Sequence, residues 1–291
     1  MRTVRAPATS ANLGSGYDTF GVALSRPADI VSVERADRTT IEVTGAGAQF
    51  IPEDPEKNTV GAVARALDAP AHIKIDKGVR PASGLGSSAA SAAGAALALN
   101  DLYDRGLSRE ELVPIAAEGE AVVSGAAHAD NVAPALLGGF TIATADGVRS
   151  VDTTVPLVAC LPEEPISTRD AREVVPTNVT IEELVATVGS AATLSVGMCR
   201  SDPELVGAGM ADEVVTPHRA ALITGYDDAA DAAREAGAYG VTVSGSGPGV
   251  LAVCPPERRR DVGAAMVEAF ADNGETARAY PTWTGDGAAF V

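Results

Sequence analysis

The stretch GLGSSAAS, residues 84–91, places two glycines before three serines, and an alanine-rich run continues to Asn100. Amides at a helix N-terminus point outward unpaired, and the helix dipole makes that end electropositive. A loop without bulky side chains lets a polyphosphate approach those amides. Hydroxyls of Ser87, Ser88 and Ser91 in the first turn can bond phosphate or ligate Mg²⁺. The same pattern would also serve a capped structural helix whose alanines pack on a neighbour. No G-x-x-x-x-G-K-[ST] occurs, so this is not a P-loop. Two further segments are glycine-rich. APATSANLGSGYDTFGVAL (6–24) crowds small, hydrogen-bonding residues around one carboxylate, Asp18, which could equally be a turn former. VSGSGPGVLAV (243–253) reads as a turn between strands, with Pro248 barred from a central ladder.

These segments need elements to hold them. Alternation of apolar and polar residues predicts strands at 29–34, 39–45 and 71–76, and helical spacing predicts a helix over 58–67. The glycine-serine loop and its helix follow. Ser108 and Glu111 form a capping box for the next helix. A strand is predicted at 138–144, after which 145–156 reads as loop. The second half reads as a strand at 157–161, a loop with two arginines, and a helix opened by Thr180 and Glu183. Another helix starts at Asp202-Pro203, a cap followed by proline. A helix at 227–236, two strands around the glycine turn, a helix at 257–272 and a strand at 276–280 complete the chain. The reading is two α+β domains, 1–155 and 156–291.

The chain has 291 residues, 46% hydrophobic and only 4% aromatic, so its core must be mainly Ala, Val, Leu and Ile. No apolar run reaches the roughly 20 residues of a membrane span. The N-terminal residues lack the apolar core of a secretory signal. Cys160, Cys199 and Cys254 are far apart and outside any metal spacing, as expected of inert thiols in a reducing cytoplasm. A net charge of −17 argues against nucleic acid or an anionic membrane as partner. Only three of the 22 basic residues are lysine, Lys57, Lys74 and Lys77. Abundant acid with so little lysine points to a halophilic protein, in which salt screens the self-repulsion.

Taken in order, PATSANLGSGYD (7–18), PASGLGSSAA (81–90) and SGSGP (244–248) resemble the GHMP small-molecule kinases, nearly over the full length. Within that family, GEAVVSGAAHADNVAPALLGGF (119–140), STRDAREVVP (167–176) and VVTPHRAALI (214–223) resemble the branch whose acceptor is the amino acid L-homoserine. The resemblance implies a two-domain fold, with an N-terminal domain like ribosomal protein S5 domain 2 and a ferredoxin-like C-terminal domain. It implies a cytoplasmic homodimer acting in threonine biosynthesis. The implied reaction is in-line transfer of the γ-phosphoryl group of ATP to the acceptor's side-chain hydroxyl.

The resemblance also assigns residues. Pro81, Ser83, Gly84, Leu85, Gly86, Ser87 and Ser88 would wrap the ATP phosphates, replacing the missing P-loop lysine with amides, helix dipole and Mg²⁺. Ser88 and Glu120 match the family's metal pair, although Glu120 could also sit in an ordinary exposed turn. Asn58 matches a position near the adenine and could also cap its own helix. Arg172 and Arg219 would clamp the acceptor carboxylate, since Arg holds a carboxylate bidentately. Asn12 and Asp18 would face the ammonium. His128, Asn131, Thr168 and Gly247 would line the acceptor pocket. Where mevalonate kinases offer an Asp as base, this chain has Asn131, which implies transfer without a protein base; Asp18 is the alternative base. Two readings compete with this one. A kinase of another hydroxylated acid, such as mevalonate or shikimate, would also use two arginines. An RNA-binding module would share the S5-like domain, against the −17 charge.

Overall fold

The computed structural model describes residues 1–124 and 129–291, without the side chains of 122–124. Two sheets organise it. The first is built on two long strands, β1 (Arg2–Ala11) and β2 (Phe20–Arg35), paired antiparallel through a turn at 12–19. Next come β3 (Thr40–Gly45), helix α1 (Thr59–Ala66) and β4 (Ala71–Lys77), with β3 parallel to β4 and β4 antiparallel to β2. In β4, buried Ile73, Ile75 and Lys77 alternate with exposed residues, the period of a half-buried strand. Helix α2 (Ser87–Leu102) follows the glycine loop and is buried from Ala89 to Asn100 against β1 and β2. Its small alanines allow that close packing. Helices α3 (Arg109–Ser124) and α4 (Ala129–Leu137) pack beside it, and the Ser108–Glu111 capping box of α3 forms as expected. Strand β5 (Phe140–Thr144) pairs with β2.

The region read as loop near 145–156 contains a strand, β6 (Gly147–Val151). It pairs with β5 in a hairpin, but its side chains are largely exposed, so no buried face marked it in the sequence. Strand β7 (Pro156–Pro162) opens the second sheet. The loop expected after it holds a short helix, α5 (Thr168–Glu173), capped by the side chain of Ser167. Helices α6 (Ile181–Arg200), α7 (Pro203–Gly209), α8 (Thr216–Ala220) and α9 (Tyr226–Glu235) follow. The capping box of Thr180 with Glu183 is present, and α8, at five residues, was too short to show a period. Then come β8 (Gly240–Val243), β9 (Val250–Val253), α10 (Arg259–Asp272) and β10 (Ala277–Trp283), giving the antiparallel order β10-β7-β9-β8.

The last strand, β11 (Ala289–Phe290), crosses back to pair with β1. Thr284 and Gly285 also bond to Val155 and Ala23. The C-terminal residues beyond β10 therefore tie the first sheet to the start of β7. One apolar core lies between the first sheet and α1–α4 and reaches Leu194, Met198 and Leu251. A second core lies between β7–β9 and α9–α10.

Candidate active site

The three glycine-rich segments, far apart in sequence, meet. The Thr9 amide donates to the Leu85 carbonyl at 3.1 Å, and the Gly245 amide donates to the Ala11 carbonyl at 3.1 Å. The Asn12 side chain donates to the Gly245 carbonyl at 2.9 Å, and Ser244 Oγ donates to the Gly84 carbonyl at 2.7 Å. Gly84 and Gly86 both adopt left-handed backbone, φ 74° and 59°. A Cβ on Gly84 would strike the Ser244 carbonyl, and one on Gly86 would strike the Thr9 hydroxyl. Glycine here satisfies both the backbone angle and the crowding.

A cavity of about 500 Å³ opens beside this junction, a size suited to a small-molecule site. One wall is the N-terminus of α2. Its cap is Gly86, with no side-chain capping bond, so the first amides keep their capacity for an external anion. Ser87 Oγ donates to the Val79 carbonyl at 2.7 Å and so anchors the loop. Ser88 Oγ donates to Glu120 Oε2 at 2.9 Å. Glu120 is buried, which disposes of the exposed-turn alternative. Burial pushes its carboxyl up to about 7 against the opposing effects of Ser88 and Lys77. Hydroxyl and carboxylate oxygens side by side near an uncapped helix N-terminus are the kind of donors that Mg²⁺ prefers, alongside phosphate and water oxygens.

Below this wall lies a buried charge network that the sequence did not reveal. The Lys77 ammonium, fully desolvated, donates to Asp29, to the Ser87 carbonyl at 2.7 Å and to Ser91 Oγ at 2.9 Å. Asp29 Oδ1 also accepts the amides of Gly78 and Val79 at 3.0 and 2.9 Å. Desolvation lowers the Lys77 pKa while Asp29 and Glu120 oppose it. Against β2 and at the end of β4, these residues carried only alternation as a signal.

The far end of the cavity is apolar and partly aromatic. Asn58 is both the cap of α1, accepting from the Val60 amide at 3.1 Å, and a lining residue, so both of its expected roles are compatible. Phe50, 77% exposed, and Ile51 line this end and offer a stacking surface for a base. Nothing in the sequence marked Phe50, since its exposure shows only in the structure.

Another part of the lining draws on both halves of the chain. Arg172, on α5, pairs with Asp18 at 3.4 Å. Arg219, on α8, is buried, donates to the Ala171 and Gly245 carbonyls at 3.0 and 2.7 Å, and lies 5.0 Å above the Tyr17 ring. The Asp18 amide donates to Asn12 Oδ1 at 2.9 Å. Thr9 Oγ donates to Asn131 Oδ1 at 2.8 Å, leaving the Asn131 amide nitrogen to act as a donor. Thr168 lines the same wall. Asp130, not foreseen, lies beside Asn131 with Oδ1 buried and without a hydrogen-bond partner among the described residues. Desolvation, with Asp18 nearby, pushes its carboxyl up to about 6.

Of the expected site residues, Asn12, Asp18, Asn58, Pro81, Ser83, Gly84, Gly86, Ser87, Ser88, Glu120, Asn131, Thr168, Arg172 and Arg219 line this one cavity. Leu85 does not: its side chain is fully buried in the core, so the loop can offer only its backbone. Gly247 turns behind the loop, facing Ile223, Val243 and Ile166, and Gly245 and Ser246 take the lining place. His128 lies outside the described residues.

Comparison with known proteins bears on the same regions. The GHMP kinases N terminal domain matches residues 57–139 and the GHMP kinases C terminal domain matches residues 194–272. A homoserine kinase of Halorubrum lacusprofundi is 71% identical over 99% of this chain and 98% of its own length. One of Haloquadratum walsbyi is 73% identical, covering 99% of each. The crystal structure of homoserine kinase from Cytophaga hutchinsonii superposes with a TM-score of 0.89 at 35% identity, over 100% of this chain and 97% of that one.

Proposed function

The chain belongs to the GHMP kinases, and from that premise we propose that it is the enzyme that phosphorylates the side-chain hydroxyl of L-homoserine with ATP. The observation that carries this reading is one cavity joining an uncapped, serine-rich helix end to a wall with two arginines and two carboxylates. The first suits a triphosphate, the second a zwitterion. The two halves, 1–155 and 156–291, are taken as the two domains, with the C-terminal crossing bound to the first.

The loop amides and the α2 N-terminus receive the phosphates, while the Phe50 end receives the base. Ser88 and Glu120 would hold Mg²⁺, which, when bound, neutralises charge on the transferring phosphoryl group. Arg172 and Arg219 take the acceptor carboxylate. Asp18, Asp130 and Asn12 surround the ammonium; Asp130 supplies a buried carboxylate oxygen with no protein bond to give up. The acceptor oxygen forms its bond to the γ-phosphorus as the bridging bond to the β-phosphate breaks, and ADP leaves. The hydroxyl proton passes to an oxygen of the transferred phosphoryl group. Asn131 cannot take it; as a donor, its amide instead steadies the developing charge. Asp18 is engaged by Arg172 and Asn12, which favours a binding role over that of a base.

No described helix is long and apolar enough to cross a membrane, and the reading places the enzyme in the cytoplasm. The named relatives from two halophilic archaea accord with the acidic, lysine-poor composition. A coupled assay of ADP release tests the proposal, using L-homoserine, its deaminated analogue 4-hydroxybutyrate, mevalonate and shikimate as acceptors. Turnover confined to homoserine is expected; equal turnover of an acceptor lacking the amine would overturn it.

A further inference from the structure

Arg219 is held at its edges by backbone. Its Nε and one Nη donate to the Ala171 and Gly245 carbonyls, which leaves three of the five N–H donors of a guanidinium unused among the described residues. Two edge bonds fix where the guanidinium sits but let it tip about the line joining the two carbonyls. What meets its face is the ring of Tyr17, 5.0 Å from the guanidinium carbon and inside the roughly 6 Å reach of a cation–π contact. Four arginines lie over aromatic rings among the described residues. Of these, Arg219 alone is buried and alone lines the cavity. Desolvation disfavours its charge, and a ring face offsets that cost most where water is absent.

The ring is itself held. Tyr17 lies in the β1–β2 turn between two anchors to the second half of the chain. Before it, Ser15 Oγ donates to the Gly209 carbonyl at the end of α7 at 2.6 Å, and Gly14 passes so close to Met210 that a Cβ would strike the Met210 carbonyl. After it, Asp18 pairs with Arg172. The Tyr17 side chain is half-buried, and its hydroxyl makes no hydrogen bond among the described residues, so the site uses the ring face and not the hydroxyl.

We propose that Tyr17 is a positioning residue for the acceptor: its ring holds the Arg219 guanidinium flat, with the unused donors presented to the acceptor carboxylate. This rests on the reading of Arg219 as half of the carboxylate clamp. A bidentate pair needs guanidinium and carboxylate close to one plane, so a tilt costs one of its two bonds. Tyr17 is not among the residues that line the cavity, and it sets acceptor affinity only through the arginine that does.

Two variants, Tyr17→Leu and Tyr17→Met, fill the space without a π face. Each should raise the homoserine KM about five- to thirtyfold, the loss expected of a desolvated cation–π contact. The turnover number, the KM for ATP and the circular dichroism should stay near their wild-type values. Tyr17→Phe, which keeps the face and drops only the hydroxyl, should retain the wild-type homoserine KM. A cycle with Arg219→Ala separates positioning from a general loosening of the turn. In that background, losing the ring should change kcat/KM for homoserine less than about twofold, because the group it positions is gone. Three results would each overturn the proposal while leaving homoserine as the acceptor: a normal homoserine KM in both ring-free variants, an equal loss in Tyr17→Phe, or an undiminished effect in the Arg219→Ala background. A wild type that turned over no homoserine would overturn the kinase reading and this proposal with it.

Discussion

The two ends of the cavity are built in opposite ways. The phosphate wall is local: a loop, one helix end, and beneath them Lys77, Asp29 and Ser91 in one desolvated cluster. The acceptor wall is assembled from Asp18 in the β1–β2 turn, Asp130 on α4, Arg172 on α5 and Arg219 on α8. In the proposed reading, backbone geometry would do the binding at the first, with side chains fixing the backbone. At the second, side chains would bind directly and the scaffold would only bring them together. Damage at the phosphate wall should therefore appear first in stability and turnover, and damage at the acceptor wall in affinity.

The largest expected effect follows from Lys77. Lys77→Met leaves Asp29 buried without its counter-charge and frees the Ser87 carbonyl. Breaking one partner of a buried pair costs about 3–5 kcal/mol, a large share of a typical domain's stability. Thermal unfolding in molar KCl should show a drop in Tm well beyond that of Arg172→Ala, whose partner is half-exposed. Equal Tm losses in the two variants would erase the contrast between the walls. Glu120→Gln comes next. It keeps the hydrogen bond to Ser88 but removes the charge that would hold Mg²⁺, and kcat should fall about 10²–10³-fold, the loss seen when transition-state charge stabilisation is removed. Saturating homoserine should not restore it. A change confined to the homoserine KM would move Glu120 to the other wall.

At the acceptor wall, Arg219→Ala and Arg172→Ala should raise the homoserine KM by about ten- to a hundredfold, from the 1.5–3 kcal/mol of a lost charge-assisted bond. The KM for ATP should move little. Arg219 should cost more because it is desolvated and also holds the Ala171 and Gly245 carbonyls. Normal homoserine KM values in both variants would dissolve the carboxylate clamp.

The same asymmetry decided what the sequence could reveal. GLGSSAAS is legible because local backbone demands, glycine where φ is positive and serine in a first turn, leave a local trace. The capping boxes at Ser108 and Thr180 are legible for the same reason. Arg172, Arg219 and Glu120 carried no such trace, and only the resemblance to a family pointed to them. Asp130 and the Lys77–Asp29 pair escaped both routes, since a lone Asp in a helix's first turn, or a lone Asp or Lys in a strand, reads as solvated until tertiary packing buries it. Leu85 and Gly247 are assigned by membership of a motif, and motif order does not say which of its residues face the cavity. The strand β6 and the helix α8 were missed because one is exposed and the other too short to show a period.

The smallest expected effect is a pH dependence confined to the acceptor wall. Asp130 titrates at about 6 in the folded protein against 3.8 in a free chain, because burial and Asp18 disfavour its charged form. The folded state therefore holds a proton that the unfolded state has released between these values. The stability from this group is fully present below the unfolded value and is lost as pH rises through about 6. Binding runs the other way, since an ammonium needs the ionised carboxylate. The homoserine KM should thus be flat above pH 7 and rise up to about tenfold per unit below 6, while the KM for ATP follows a different course. Asp130→Asn should flatten that limb, raise the homoserine KM at pH 7.5 and leave Tm there unchanged or higher, since it removes a buried charge. If wild type and Asp130→Asn kept the same homoserine KM from pH 5 to 8, the unpaired carboxylate oxygen would have no part in holding the acceptor, and Asp18 and Asn12 alone would face the ammonium.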